Sequence, residues 1–409
     1  MRKLIRNIFV FILIIIFIIA FSGSYAALSI DNLAYVLAIG IDASTENNLE
    51  VTFQFSTTAP ASESGSTEKT KTVENSVSAS SISNAINLMN SYMGRELNMS
   101  HCKVIIFSEE LAYNGISDEI YTLINDTQVR LSANIIVSKC NAKDYIKSTD
   151  PQLSNLISKY YELVTNPSKS TGFIPDATIG QFFHAMTCKT CEPYAILGSI
   201  NETNYQTSTA TSSNSEKDSN IMASQSSIQG TNGVENIGIG VFKEDSLVGE
   251  LNALETVGFL SLRNNVDRFL ISIPDPIKQG NYLDIYITPY DSTEIKVDTT
   301  TTSPYIHIKT KFSGRIYSMT EDASYLTPEV LDAISATCNS YLESVFSSLL
   351  YKTSKEFHSD IHGFGKYALS NFLTTEEQNN YHWFENCQNA FFDIEVDTSV
   401  QSGMLITET

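Results

Sequence analysis

Cys188-Lys189-Thr190-Cys191, with His184 four residues ahead, is the one suggestive cysteine pair in the chain. Two thiols at that spacing can share a zinc ion or close a local disulfide. A structural zinc site needs a second ligand pair at matching spacing, and the sequence supplies none, so a local disulfide or two free thiols is the favoured reading. His358 and His362 could meet on one helical turn, but Gly363 and Gly365 follow at once and oppose a continuing helix, which favours exposed or hydrogen-bonded roles. Glu109, Glu110, Asp118 and Glu119 could supply the carboxylate pair of a cell-wall hydrolase. Acids of this kind more often form a solvated face. Gly363-Phe364-Gly365-Lys366 resembles part of a phosphate loop but lacks its four-residue spacer and the hydroxyl after the lysine, so it reads as a turn. Gly238-Ile239-Gly240 reads as a close backbone approach within a strand. There is no His-Glu-x-x-His helix, no Gly-x-Ser-x-Gly elbow and no calcium loop. The expectation is a protein that is not an enzyme, with no cofactor and no catalytic, cofactor-binding or metal residue assigned.

The elements that would carry these residues begin with an export signal. Arg2, Lys3 and Arg6 precede an apolar run from Ile8 to Phe21, a layout that holds the N-terminus in the cytoplasm and translocates the body of the chain. Ser24-Tyr25-Ala26 offers small residues for cleavage after Ala26, and an uncleaved anchor is the alternative, the run being shorter than the roughly 20 apolar residues of a full span. Acidic residues outnumber basic ones 46 to 26, a net charge of -20 over 409 residues. Such a chain repels phosphate backbones, so no nucleic-acid partner is expected. Six cysteines are too sparse for a disulfide scaffold. With 42% hydrophobic residues the chain can bury more than one core.

Leu33 to Ile41 reads as a buried strand, and Leu49, Val51, Phe53 and Phe55 alternate as a half-buried one. Residues 56 to 80 are Ser, Thr and Glu without period and read as a loop. Ile82, Ile86, Met89 and Met93 recur at helical spacing; Lys103 to Phe107 and Asn134 to Ser138 are strands, with a helix from Ser117 to about Asn125 between them. From Ala142 to Gly198 the pattern is mainly helical. Residues 201 to 235 are too polar to offset their ordering entropy and read as a linker. Ile237 to Phe242 and Leu247 to Leu251 form a hairpin, followed by strands at Tyr282 to Ile287 and Ile306 to Phe312. Thr327-Pro328-Glu329 opens a helix of about 28 residues, or about 42 Å. Ile334, Cys338, Tyr341, Val345 and Leu349 give it a core-facing stripe, and Phe392, Ile394 and Val396 mark a last strand. The fold class is α+β, multi-domain, with mixed sheets and helices behind an N-terminal signal or anchor helix. Its expected parts are the signal peptide or anchor 1–26, an N-terminal domain 27–200, a low-complexity linker 201–235 and a C-terminal domain 236–409 with a subdivision near 272.

Gly23-Ser24-Tyr25, Leu33-Ala34-Tyr35-Val36-Leu37 and Ala38-Ile39-Gly40-Ile41-Asp42 resemble the opening of Ger(x)C family spore germination proteins. His101-Cys102-Lys103-Val104-Ile105-Ile106, Glu110-Leu111-Ala112 and Arg130-Leu131-Ser132-Ala133 continue in the family's order. Gly240-Val241-Phe242-Lys243, Leu247-Val248-Gly249 and Glu255-Thr256 resemble the start of its C-terminal region. Ser359-Asp360-Ile361-His362-Gly363-Phe364-Gly365, then Trp383, is similar to its most recognisable stretch. The resemblance implies the C subunit of a nutrient germinant receptor, assembled with an A and a B membrane subunit on the outer face of the spore inner membrane. It also aligns Ser24 with the family's lipobox cysteine. A hydroxyl cannot accept the thioether-linked diacylglycerol, so no lipidation is expected. Two other readings fit an exported chain: an extracytoplasmic solute-binding protein, or the hydrolase that the scattered acids would need.

Overall fold

Apolar runs too short for helices and unbroken by polar residues belong in strands covered on both faces, and they build the centre of the first sheet. The structure, a computed structural model, describes residues 2–21, 32–44, 48–56, 72–151, 156–201, 220–228, 230, 232–318 and 327–401. The first sheet contains β1 (Leu33–Ala43), β2 (Leu49–Ser56), β3 (Thr72–Ala79), β4 (Glu96–Asn98), β5 (Val104–Ser108), β6 (Asn134–Ser138), β7 (Tyr194–Ile200), β8 (Val234–Lys243) and β9 (Ser246–Leu251). The order is β3-β2-β1-β5-β6-β7-β8-β9, with β4 beside the start of β1. β1, β5, β6 and β7 run parallel, and antiparallel hairpins flank them on both sides.

Two residues of β1 fix how a helix covers this sheet. Gly40 lies under the helix Ala142–Ser148, where a Cβ would stand 2.8 Å from Ile146 Cδ1 and 3.2 Å from Ala142 Cβ. Two positions on, Asp42 accepts from the Ala142 N–H at 2.6 Å and the Lys143 N–H at 3.0 Å. Asn141, at the cap position itself, makes no side-chain cap. A strand carboxylate from far away in sequence therefore satisfies the helix N-terminus and sits at its positive end. Burial pushes the Asp42 pKa up, against the pull of those two N–H groups.

The second sheet contains β10 (Phe269–Pro274), β11 (Tyr282–Pro289), β12 (Glu294–Asp298), β13 (Tyr305–Ser318) and β14 (Phe391–Gln401). β11 and β12 pair with successive parts of one edge of β13, and β14 runs parallel along the other. The exposed edge of β14 is capped by side chains. The N–H groups of Val396, Thr398 and Val400 donate to Glu343 Oε1 (3.2 Å), Asn339 Oδ1 (2.8 Å) and Ser335 Oγ (3.1 Å). Every second strand residue meets every fourth residue of the helix Pro328–Tyr351, because about 7 Å of strand matches about 6 Å of helix. That helix runs on through a π turn, Lys352–Glu356, close to the length the sequence suggests. Its buried stripe is Ile334, Cys338, Leu342, Phe346, Leu349 and Leu350. Thr327 stands at its N-cap but makes no side-chain cap bond.

The helix Ala253–Leu262 is buried nearly all round and lies against both β8 and the long helix, so it joins the two sheets in one core. An Asn252–Glu255 capping box starts it.

Two expectations change. Residues 72–79, read as loop, form β3: their polar side chains hide the strand pattern, and β2 supplies partners through Thr52–Ser76 and Gln54–Glu74 bonds. β7 emerges from the stretch read as mainly helical. β7, which ends at Ile200, and β8, which begins at Val234, are neighbouring strands of one sheet. The part at 220–228 lies on that sheet, with the Ala223 N–H donating to Ile237 O at 3.0 Å. Arg2–Phe21 is a helix whose described side chains from Leu4 to Ile15 are exposed where they are apolar. Among the described residues no helix is long and apolar enough to cross a membrane. Ser24 and the cleavage position after Ala26 lie outside the described residues.

Asp42→Ala should cost about 1–2 kcal/mol of stability, the usual size of a lost helix cap, read as a lower urea midpoint. Asp42→Asn, which keeps one acceptor oxygen, should cost less.

Candidate functional site

A carboxylate followed by two glycines can fold its own backbone N–H groups around itself, since glycine reaches the left-handed region that such a turn demands. Asp360-Ile361-His362-Gly363-Phe364-Gly365 does this. Asp360 is buried, and its Oδ1 accepts from the N–H groups of Gly363 (2.9 Å) and Phe364 (3.0 Å). Its Oδ2 accepts from the Gly365 N–H and from Trp383 Nε1, both at 2.9 Å. Gly363 has φ +75°. Gly365 has no room for a side chain, because a Cβ would lie 2.6 Å from Thr190 O and 2.7 Å from Trp383 Nε1. Burial raises the Asp360 pKa, and the three N–H groups and the indole oppose it.

The same turn ties distant parts of the chain together. Asp360 O accepts the Glu192 N–H at 3.1 Å, and Ser359 Oγ donates to Phe242 O of β8. Arg263, at the end of the bridging helix, donates to Ile361 O at 2.7 Å and lies over the rings of Tyr194 and Phe259. Glu192 is buried and accepts the Glu244 N–H at 2.7 Å. Burial, with Glu244 and Asp360 nearby, pushes its pKa up to about 7.

The histidines separate. His358 is exposed at φ +53° with Nδ1 3.3 Å from Ser354 O, whereas His362 is buried between the rings of Phe259 and Phe364. Neither ring nitrogen of His362 has a partner, and burial and then Arg263 lower its pKa to about 3, so the imidazole is neutral. His184 is exposed on the helix Ile179–Thr187, and Cys188 and Cys191 are free thiols beside the turn. Among the described residues no group of three His, Cys, Asp or Glu side chains could hold a metal ion.

The acids read as a possible carboxylate pair do not join one another. Glu109 instead meets Glu250 of β9, whose Oε2 is 2.7 Å from Lys139 Nζ. Burial and then the Glu250 charge raise the Glu109 pKa. Glu119 is raised by burial, with Asp118 and Asp245 nearby. Gly238 has the close approach expected, since a Cβ there would lie 2.4 Å from Leu251 O.

Two cavities flank the Asp360 turn. One of about 420 Å³ is lined by Cys188, Lys189, Thr190, His382 and Trp383, and one of about 390 Å³ by Arg263, His362, Lys366 and Tyr367. The arrangement is one of fastening: both oxygens of Asp360 are met by donors, while the buried ring nitrogens of His362 stay unpaired. Sequence reasoning misses the hub role of Asp360, although an acid three and five residues before glycines, then the chain's single tryptophan, is its signal.

The family model described as "Spore germination protein N-terminal domain" matches residues 27–200, and "Spore germination B3/ GerAC like, C-terminal" matches 237–403. Spore germination protein KC of Bacillus subtilis (strain 168) is 22% identical over 376 residues, covering 88% of this chain and 87% of that protein. Putative spore germination protein YfkR of the same organism is 27% identical over 152 residues, 36% of this chain and 39% of that protein. The crystal structure of the GerBC protein superposes with a TM-score of 0.52 at 17% identity, covering 88% of this chain and 96% of that one, and shows a shared fold.

Replacing Asp360 by Ala should cost at least about 3 kcal/mol, because buried donors lose their acceptor at once. Asp360→Asn should not rescue it, since its amide would turn a donor toward N–H groups; urea unfolding of both variants checks this. Folded Glu192 holds its proton more tightly than the unfolded chain does. Its contribution is therefore fully present below the ordinary value of 4.5 and is lost as pH rises through about 7. Glu192→Gln should raise Tm relative to the parent at pH 8 and leave it nearly unchanged at pH 4.5.

Proposed function

The chain belongs to the Ger(x)C family of spore germination proteins, and on that basis we propose that it is the C subunit of a nutrient germinant receptor. In this reading it is a non-enzymatic component that assembles with the receptor's A and B membrane subunits at the outer face of the spore inner membrane. The observation that carries it is the succession of the family's N- and C-terminal models along residues 27–200 and 237–403. The division of the chain into an N-terminal domain at 27–200 and a C-terminal domain at 236–409 is part of the same proposal. Support for attachment to a membrane comes from the exposed apolar side chains between Leu4 and Ile15 on the helix Arg2–Phe21. The cations at its start favour a cytoplasmic N-terminus. The retained helix, or docking to the membrane subunits, holds the protein there without a lipid. The site's chemistry fits a fastening role, because its buried carboxylate faces only N–H donors.

Deleting the gene in the spore-forming source should abolish nutrient-triggered germination and spare germination by a non-nutrient trigger. Normal nutrient germination, with no paralogue taking over, would remove the receptor assignment. Mass spectrometry of the mature N-terminus should find no diacylglyceryl group, and finding one would refute the reading of Ser24.

A further inference from the structure

Of the groups left over from the Asp360 turn, the two thiols beside it form a built pair. Cys188 follows the helix Ile179–Thr187 in extended backbone, and its Sγ lies 3.4 Å from Thr190 Oγ1. Cys191 follows three residues on, close enough that the two thiols shift each other's ionisation. Their exposures differ in a useful way. Cys188 is half-buried and lines the cavity of about 420 Å³ together with Lys189, Thr190, His382 and Trp383, whereas Cys191 is buried behind it. Lys366 places a positive charge near both sulfurs.

We propose that Cys188 and Cys191 are a reversible dithiol–disulfide couple that exchanges with small-molecule disulfides, Cys188 attacking and Cys191 resolving. The Cys188 thiolate attacks one sulfur of a disulfide R–S–S–R, forming a mixed disulfide and releasing one R–S⁻. That thiolate takes up the Cys191 proton. The Cys191 sulfur then attacks the Cys188 sulfur, closing the protein disulfide and releasing the second R–S⁻, which takes the proton that Cys188 had given to solvent. Two protein thiols are oxidised and one small disulfide is reduced to two thiols. Thiolate character and access decide which sulfur attacks.

The other four cysteines lack this setting. Cys102, Cys338 and Cys387 are buried, and burial pushes their thiols, and that of half-buried Cys140, above the ordinary value. Partial burial also raises Cys188, but its hydrogen bonds with Cys191 and Thr190, followed by Lys366, outweigh this and leave it lowered. Burial raises Cys191 to about 12, so it stays a thiol until Cys188 has been consumed. The couple also lies where a change would be felt. Thr190 touches Gly365 without slack, and the Glu192 N–H holds Asp360 O. The proposal is independent of the receptor assignment.

The test is equilibration of the folded, full chain with reduced and oxidised glutathione, followed by alkylation and peptide mass mapping. A peptide bearing a Cys188–Cys191 disulfide, lighter by two hydrogens, is expected, with Cys102, Cys140, Cys338 and Cys387 still alkylated. Cys191→Ser should retain one glutathionyl group on Cys188, and Cys188→Ser should retain none at Cys191. Lys366→Gln should slow alkylation of Cys188 several-fold below neutral pH. No linked peptide in the parent chain, linkage of either cysteine to a different partner, or alkylation of Cys188 no faster than of Cys140 would each overturn the proposal. Because the parent chain alone supplies these outcomes, a variant that fails to fold does not weaken the test.

Discussion

The buried carboxylate of Asp360 is the constraint on which the joining of this chain depends. An ion taken out of water is tolerated only when its lone pairs are met by donors. Here the N–H groups of Gly363, Phe364 and Gly365 and the Trp383 indole meet them. The donors come from two segments; the Ser359 hydroxyl reaches β8, the Asp360 carbonyl accepts from Glu192, and the Ile361 carbonyl accepts from Arg263 at the end of the bridging helix. One satisfied charge therefore fixes several strands and helices relative to each other. Removing it would leave donors stranded in a place that water does not reach.

The same economy of polar groups explains the rest of the architecture. Asp42 reaches from β1 to a helix N-terminus, and Ser335, Asn339 and Glu343 reach from a helix to a strand edge. In each case one element supplies what another's geometry leaves unpaired, in the way that open edges and helix ends require. These bonds run between elements that apolar packing has already brought together, through the bridging helix Ala253–Leu262 and the stripe of Pro328–Tyr351. Burial brings the pieces near, and the polar contacts fix their register.

How much of this is legible in the sequence depends on which forces leave a local trace. The buried strands at Val104–Ser108 and Asn134–Ser138, the helix Ser117–Asn125 and the long C-terminal helix carry their own period, and the sequence reads them correctly. β3 does not, because Thr72, Glu74, Asn75 and Ser76 take their partners from β2. The segment at 220–228 is compositionally a linker, yet it lies on β8 through the bond from the Ala223 N–H to Ile237 O and through Ser226 on the Glu235 carboxylate, which no hydrophobic period reports. At the site, the sequence singles out His362, Gly363 and Gly365 but reads them as one of two histidines and as a plain turn. Their meaning is the carboxylate before them. In the sequence Asp360 stands only as part of a family resemblance, and it gains a physical role when the turn closes around it.

Tight packing at that turn also determines how a local change would spread. Gly365 meets Thr190 O at a distance that admits no methyl group, so the strip from Cys188 to Glu192 and the strip from Asp360 to Gly365 behave as one packed layer. A close-packed interior does not absorb displacement gradually; it transmits it or switches. Movement of the Thr190–Glu192 backbone would therefore reach the Asp360 hydrogen bonds through Gly365 and through the Glu192 N–H. Those bonds hold Trp383 on one side and, through Arg263 and Ile361, the bridging helix on the other. The two sheets consequently share a fastening point at which a local event in the first half of the chain is felt in the second.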